Sequence, residues 1–171
     1  PAAAGPATIV RIYLSVFDVH VNRSPCAADV LEIEHQPGKH LDVRDPSSVQ
    51  ENEWLLMSLR RIDDGLPLGV RQIAGLVARR IVCAATRGGR LDRGRPYGMI
   101  KFGSSTELIV PDLPVLDVRV RVGERVAGGR TILAVLPPQT AADATETDAT
   151  RRVEPAPMPT PGPAPEPTPA P

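Results

Sequence analysis

Apolar and polar residues alternate along short stretches of this chain, and glycine or proline interrupts nearly all of them. The clearest runs are Ile9-Val10-Arg11-Ile12-Tyr13-Leu14, Val30-Leu31-Glu32-Ile33 and Val118-Arg119-Val120-Arg121-Val122. A side-chain period of two sends alternate residues to opposite faces of an extended strand, so a chain patterned this way builds sheets that bury one face. The expected fold is mainly β, with short strands in a compact sandwich. Ser47 to Leu59 has a helical look, with Asp45 or Ser47 as a cap. Gly69 to Cys83 fits either strand or helix, and we read it as strand.

An internal repeat narrows the architecture. Gly88-Gly89-Arg90-Leu91-Asp92-Arg93-Gly94-Arg95 matches Gly123-Glu124-Arg125-Val126-Ala127-Gly128-Gly129-Arg130 as G-x-R-[LV]-x-x-G-R, at an offset of 123 − 88 = 35 residues. Glycines at both ends of each copy suit turns between strands. The unit resembles the hairpin of barrel-sandwich hybrid domains, the architecture of lipoyl and biotinyl carriers, here duplicated.

The regular pattern stops near Pro137. Residues 137–171 are Pro, Ala, Thr and Glu for the most part, ending in PAPMPTPGPAPEPTPAP. Such a segment has too little apolar surface to offset its ordering entropy, and is expected to be a disordered or polyproline II tail. The opening PAAAGPA is expected to be irregular as well. Residues 1–136 then form one folded domain of about 130 ordered residues.

Charge excludes one class of partner. Twenty basic residues balance twenty acidic ones, so no global field favours nucleic acid. No apolar run approaches the ~20 residues of a membrane-spanning helix, and the Pro/Ala start lacks the layout of a signal peptide. Cys26 and Cys83 follow no metal-ligand spacing; we read them as buried thiols, a single disulfide being the alternative. No metal is expected.

Tyr97-Gly98-Met99-Ile100-Lys101-Phe102-Gly103-Ser104-Ser105 carries the chemistry once other blocks are set beside it. These are Leu14-Ser15-Val16-Phe17-Asp18-Val19-His20-Val21-Asn22-Arg23, Pro37-Gly38-Lys39, Glu51-Asn52-Glu53 and Gln72-Ile73-Ala74-Gly75-Leu76-Val77-Ala78-Arg79-Arg80-Ile81-Val82-Cys83. In this order they resemble the short phosphatidylserine decarboxylases of bacteria and archaea, over roughly residues 9 to 136. The resemblance implies that the protein cuts its own Gly103–Ser104 bond, giving fragments 1–103 and 104–171 that stay together as a heterodimer. It also implies that Ser104 becomes a pyruvoyl group, the cofactor for decarboxylating phosphatidylserine to phosphatidylethanolamine. The enzyme would work peripherally at the cytoplasmic side of the cell membrane, as a homo-oligomer or not.

Physical chemistry supports the assignment of roles. Glycine before serine lets the hydroxyl approach the preceding carbonyl, and the resulting acyl shift needs a base. His20 is the candidate base in processing and proton donor in turnover. Asp18 is expected two residues earlier on the same strand face, orienting His20 or serving as a surface carboxylate. In the family, an Asp of an upstream P-A-D-G segment completes a triad with the histidine and serine; the sequence given starts downstream of that place.

Arg23, Arg79 and Arg80 are candidate ligands for the phosphodiester or carboxylate of the lipid, solvated strand-edge arginines being the alternative. Leu76 and Val77 are read as core, with shelter for an acyl chain as the alternative. His35 and His40, beside the Pro37-Gly38 turn, are expected at the surface. Two rival functions stay open: the same chemistry on another amine-bearing carboxylate, and a non-catalytic carrier or interaction module presenting Lys101.

Overall fold

The structure, a computed structural model, describes residues 5–136 apart from 46, 78–79 and 102. The expected tail at 137–171 lies outside the described residues.

Strand pairing dominates. Chain order runs β1 (Ala7–Leu14), β2 (Val21–Arg23), β3 (Ala28–Gln36), α1 (Ser48–Glu51), β4 (Trp54–Arg61), β5 (Pro67–Ile73), β6 (Ile81–Cys83), β7 (Arg90–Leu91), β8 (Pro96–Ile100), β9 (Ser104–Pro111), β10 (Asp117–Val118) and β11 (Ala134–Val135). A six-stranded sheet has the order β1-β9-β5-β4-β3-β7, a three-stranded sheet the order β2-β8-β6, and β10 pairs with β11. Every pairing between these strands is antiparallel.

Alternation explains the core. Leu55, Met57 and Leu59 of β4, Leu68 and Val70 of β5, and Leu108 and Val110 of β9 are all buried. All but Leu55 belong with Ala28, Val30 and Leu91 to one apolar cluster, which Tyr97 of β8 joins from the three-stranded sheet. Each such side chain contributes about 1.5–3 kcal/mol by leaving water. The expected mainly β architecture is what forms, and its sheets are antiparallel.

Three local expectations need correction. Only Ser48–Glu51 of the expected helix is helical, because Trp54–Arg61 pairs with β3 on one side and β5 on the other. Two ladders of backbone hydrogen bonds outweigh a weak helical preference. Ser47 does occupy the N-cap position, but without a side-chain capping bond. Between Gly69 and Cys83 two strands form rather than one, since β5 stops at Ile73 and β6 starts at Ile81. Of Val118–Val122, only Val118 pairs, within the two-residue β10.

The repeat is structural as well as textual. Gly88 and Gly123 have φ of 79° and 86°, and Gly94 and Gly129 have φ of 76° and 75°. The Gly89 N–H donates to the Thr86 carbonyl as that of Glu124 does to Arg121, and the Arg95 N–H to Asp92 as that of Arg130 does to Ala127. Two turns are therefore built twice, residue for residue. Cys26 and Cys83 are unbridged and half-buried against the core. Among the described residues, no helix is long and apolar enough to cross a membrane.

Candidate active site

Ser104 opens β9, a central strand of the larger sheet, and pairs with Leu14 at the end of β1. Register delivers the histidine. Just past Leu14 the chain turns through residues 15–18 and returns as β2, which brings His20 over Ser104. Both side chains are buried, Ser104 completely. The Ser104 Oγ lies 3.1 Å from His20 Nδ1, and His20 Nε2 lies 2.8 Å from the Ser15 carbonyl oxygen.

That second contact fixes the tautomer. A carbonyl oxygen only accepts, so in the neutral ring Nε2 carries the proton and Nδ1 presents a lone pair. Nδ1 is then the acceptor for the Ser104 hydroxyl proton. Ser15 thus does for this imidazole what a carboxylate does in a hydrolytic triad.

Asp18 is not on a strand face. It sits in the exposed turn between β1 and β2, where its Oδ2 accepts the Ser15 N–H at 2.8 Å and its own N–H donates to the Ser15 carbonyl at 3.1 Å. Hydrogen bonds from Ser15 hold its carboxyl below the ordinary carboxylate range. It supports the residue that holds His20.

The carbonyl before Ser104 is confined from the other side. Gly103 has φ of +64°, a left-handed conformation that would cost an L-residue about 1–2 kcal/mol. Its oxygen presses on Gly75, where a Cβ would lie only 2.0 Å away. Asn52 anchors that neighbour: its Nδ2 donates to the Ala74 and Leu41 carbonyls, each at 2.8 Å, and its Oδ1 accepts the Leu41 N–H at 2.7 Å. Residues 51–53 are in turn laced to Lys39, whose N–H donates to the Glu51 carbonyl and whose carbonyl accepts the Glu53 N–H. Three blocks far apart in sequence therefore form one chain of contacts ending at the Gly103 carbonyl.

Two further buried amides escaped the reading of the sequence. Gln72 Nε2 donates to Asn22 Oδ1 at 2.7 Å, joining β5 to β2 two residues beyond His20. The available signal was a pair of amides, each set between an arginine and an aliphatic residue of a strand. Glu107, its side chain fully buried, accepts from Arg11 at 2.7 Å and from Arg71 at 2.6 and 2.8 Å across β1, β9 and β5.

The arginine candidates divide. Arg23 donates to the Gly94 carbonyl at 3.0 Å, and its Cδ lies 3.0 Å from where a Cβ on Gly129 would stand. It clasps equivalent glycines of the two repeat copies. Arg80 is exposed, and its carbonyl accepts the Lys101 N–H two residues before Gly103. Arg79 lies outside the described residues. His35 and His40 both meet Glu53, at 2.9 and 3.2 Å. Leu76 and Val77 are exposed rather than core, because β5 has ended and the chain there turns outward past Gly103. Among the described residues no cluster of His, Cys, Asp and Glu is arranged to hold a metal.

A family model for phosphatidylserine decarboxylase matches residues 3–134. The chain belongs to the phosphatidylserine decarboxylase family. It is 46% identical over 132 residues to the phosphatidylserine decarboxylase proenzyme of Geobacter sulfurreducens, a match covering 76% of this chain and 58% of the relative. Identity to the proenzyme of Symbiobacterium thermophilum is 47% over 133 residues, covering 78% and 60%. For the Saccharopolyspora erythraea proenzyme the values are 43% over 135 residues, 78% and 55%. The chain thus spans somewhat over half the length of these phosphatidylserine decarboxylase relatives. No solved structure matches. The stretch matched to the family contains β1 through β10 and every residue of the His20–Ser104 site.

Proposed function

We propose that this chain is a self-processing, pyruvoyl-dependent carboxy-lyase that acts on phosphatidylserine. The supporting observation is the 3.1 Å approach of His20 Nδ1 to Ser104 Oγ, with Nε2 already committed to the Ser15 carbonyl. A serine hydroxyl is a weak nucleophile until a base of this kind takes its proton.

Processing follows from these residues. Nδ1 of His20 accepts the Ser104 proton as Oγ bonds to the Gly103 carbonyl carbon. The Gly103–Ser104 C–N bond then breaks, and the freed amine takes the proton back, leaving an ester. Loss of the Ser104 Cα proton with cleavage of the Cβ–Oγ bond releases a Gly103 carboxylate and leaves dehydroalanine. Water adds, ammonia departs, and residue 104 ends as an α-ketoacyl group.

The surroundings fit that group. Ser104 is sealed from solvent, and the Gly103 carbonyl is held by the close approach of Gly75. Once formed, the carbonyl supplies an electrophile for a substrate amine and an acceptor for the electrons released as carbon dioxide leaves. His20 remains beside residue 104, able to return a proton there from Nδ1. The two fragments 1–103 and 104–171 form the active heterodimer, meeting its lipid from the cytoplasmic membrane surface.

Intact mass of the expressed, folded chain tests the reading. Two fragments are expected, the second carrying a carbonyl that an amine and borohydride trap, while Ser104→Ala stays whole. Carbon dioxide release from phosphatidylserine in mixed micelles identifies the substrate; turnover of a free amino acid without detergent would reassign it. A single folded species with unmodified Ser104 would remove the activity and favour a carrier module.

A further inference from the structure

Apolar side chains stand in water around Gly103. Phe17 is 95% exposed, Val19 77%, Leu76 62%, Val77 58% and Val16 44%. They come from two loops, residues 15–20 between β1 and β2 and residues 75–77 after β5. The loops meet at the proposed cleavage point: from the position of a Cβ on Gly103, Val16 Cγ1 is 3.7 Å away and Val77 Cβ 3.8 Å. Single exposed apolar residues are ordinary, but five on two adjoining loops mark a contact surface. Phe17 is one of only two phenylalanines in the chain, and it is spent on solvent.

The charges nearby point to one kind of partner. Arg80 and Lys101, both exposed, are joined by a backbone hydrogen bond at the edge of the second loop. Exposed Arg125 is near enough to Asp18 to act on its charge, whereas exposed Arg44 is held by Asp42. Asp18, the acidic residue within the first loop, is turned back onto Ser15. An apolar tip rimmed by cations is the pattern that seats on an anionic bilayer, where rings and aliphatic chains enter the interface and arginine and lysine meet phosphates.

We propose that the 15–20 and 75–77 loops form a membrane-docking surface, inserting Phe17, Val19 and Leu76 into an anionic lipid bilayer. The choice of a bilayer rests on the functional reading above. In this pose the Gly103 end of β9 lies against the membrane-facing loops, and a substrate keeps its acyl chains in the membrane while its polar end is offered to the protein.

Flotation of the intact chain with phosphatidylcholine vesicles, with and without phosphatidylglycerol, tests the surface apart from turnover, because phosphatidylglycerol carries no amine. Binding is expected to require the anionic lipid and to weaken with salt. Phe17→Ser combined with Leu76→Ser, both at exposed positions, should lower partitioning roughly 100-fold, about tenfold per side chain. Phe17→Trp should shift its emission to the blue and become quenchable by brominated lipid, against the constant background of Trp54 in the parent. Equal binding by the double variant, or no emission shift in Phe17→Trp on vesicles that bind the chain, overturns the proposal. A blue shift that grows with protein concentration in lipid-free buffer also overturns it, in favour of a second copy as occupant. Vesicle binding by a chain that never releases carbon dioxide from phosphatidylserine would sink the functional reading and leave the docking surface standing.

Discussion

Gly75→Ala is expected to disable the proposed cleavage more severely than Gly103→Ala, although Gly103 belongs to the bond proposed to break. A Cβ on Gly75 would stand 2.0 Å from the Gly103 oxygen and 3.0 Å from its carbon, where ordinary contact begins at 3.4 Å. The two segments must therefore separate by about 3.4 − 2.0 = 1.4 Å. Asn52 holds Ala74 in place, so much of this movement falls on the Gly103 carbonyl. Misplacing a reacting group by about 1 Å can lower a rate on the order of 10²-fold. A Cβ on Gly103 meets nothing nearer than 3.7 Å, and its cost is the left-handed backbone alone, about 1–2 kcal/mol. Fragment appearance on a denaturing gel, timed after refolding, measures both variants. Far-UV circular dichroism checks the fold, and Gly128→Ala, with nothing within 4 Å, serves as a silent control. Parental cleavage in folded Gly75→Ala, or a slower Gly103→Ala, would refute the idea that Gly75 confines the scissile carbonyl.

Other substitutions probe the neighbouring parts. His20→Ala should leave a folded proenzyme whose cutting is slowed ~10²–10⁴-fold, followed by intact mass over hours; an unchanged rate would take His20 out of the mechanism. Glu107→Gln should cost about 3–5 kcal/mol in urea unfolding, nearer the lower figure because Arg11 is 40% exposed, and a loss within error would mean that water already serves the two arginines. Asp18→Asn should process nearly as fast as the parent above about pH 5, since the amide oxygen can still accept the Ser15 N–H. The folded pKa of Asp18 lies below 3.8, so what its charge adds to the turn is present above that value and lost as pH falls through the folded one. A large loss of cleavage at neutral pH would give Asp18 a direct role beside His20.

Alternation made β1 and the start of β3 legible: Thr8, Val10, Ile12 and Leu14 are half-buried between exposed neighbours, and Ala28 and Val30 are buried on either side of Asp29. Trp54–Arg61 hid its strand, since Trp54, Leu55, Leu56 and Met57 put apolar side chains on both faces of the sheet and erase the period of two. Val118–Val122 alternates well yet pairs only at its start; a pattern says that a strand can form, not that a partner is available. At the site, His20 and Ser104 are 84 residues apart, and only the register of β1 on β9 brings them together. The quoted blocks contained Asn22, Asn52, Gln72 and Gly75, but their work consists of contacts between blocks. Arg23 looked like an anion ligand because guanidinium suits phosphate equally well as it suits the turn carbonyl that it meets here.

The place of β9 in the sheet has a consequence for how the molecule survives heating. β9 lies between β1 and β5, and both neighbours belong to the part of the chain that precedes Ser104. Before a cut, refolding is unimolecular, and the strand finds its slot at no cost in association entropy. After a cut ahead of Ser104, the same slot must be filled by a separate polypeptide, at an estimated 4–15 kcal/mol of lost translational and rotational freedom. Thermal unfolding should then be reversible for Ser104→Ala and increasingly irreversible, and dependent on concentration, for the matured protein. Maturation would turn an equilibrium fold into one guarded by its unfolding rate.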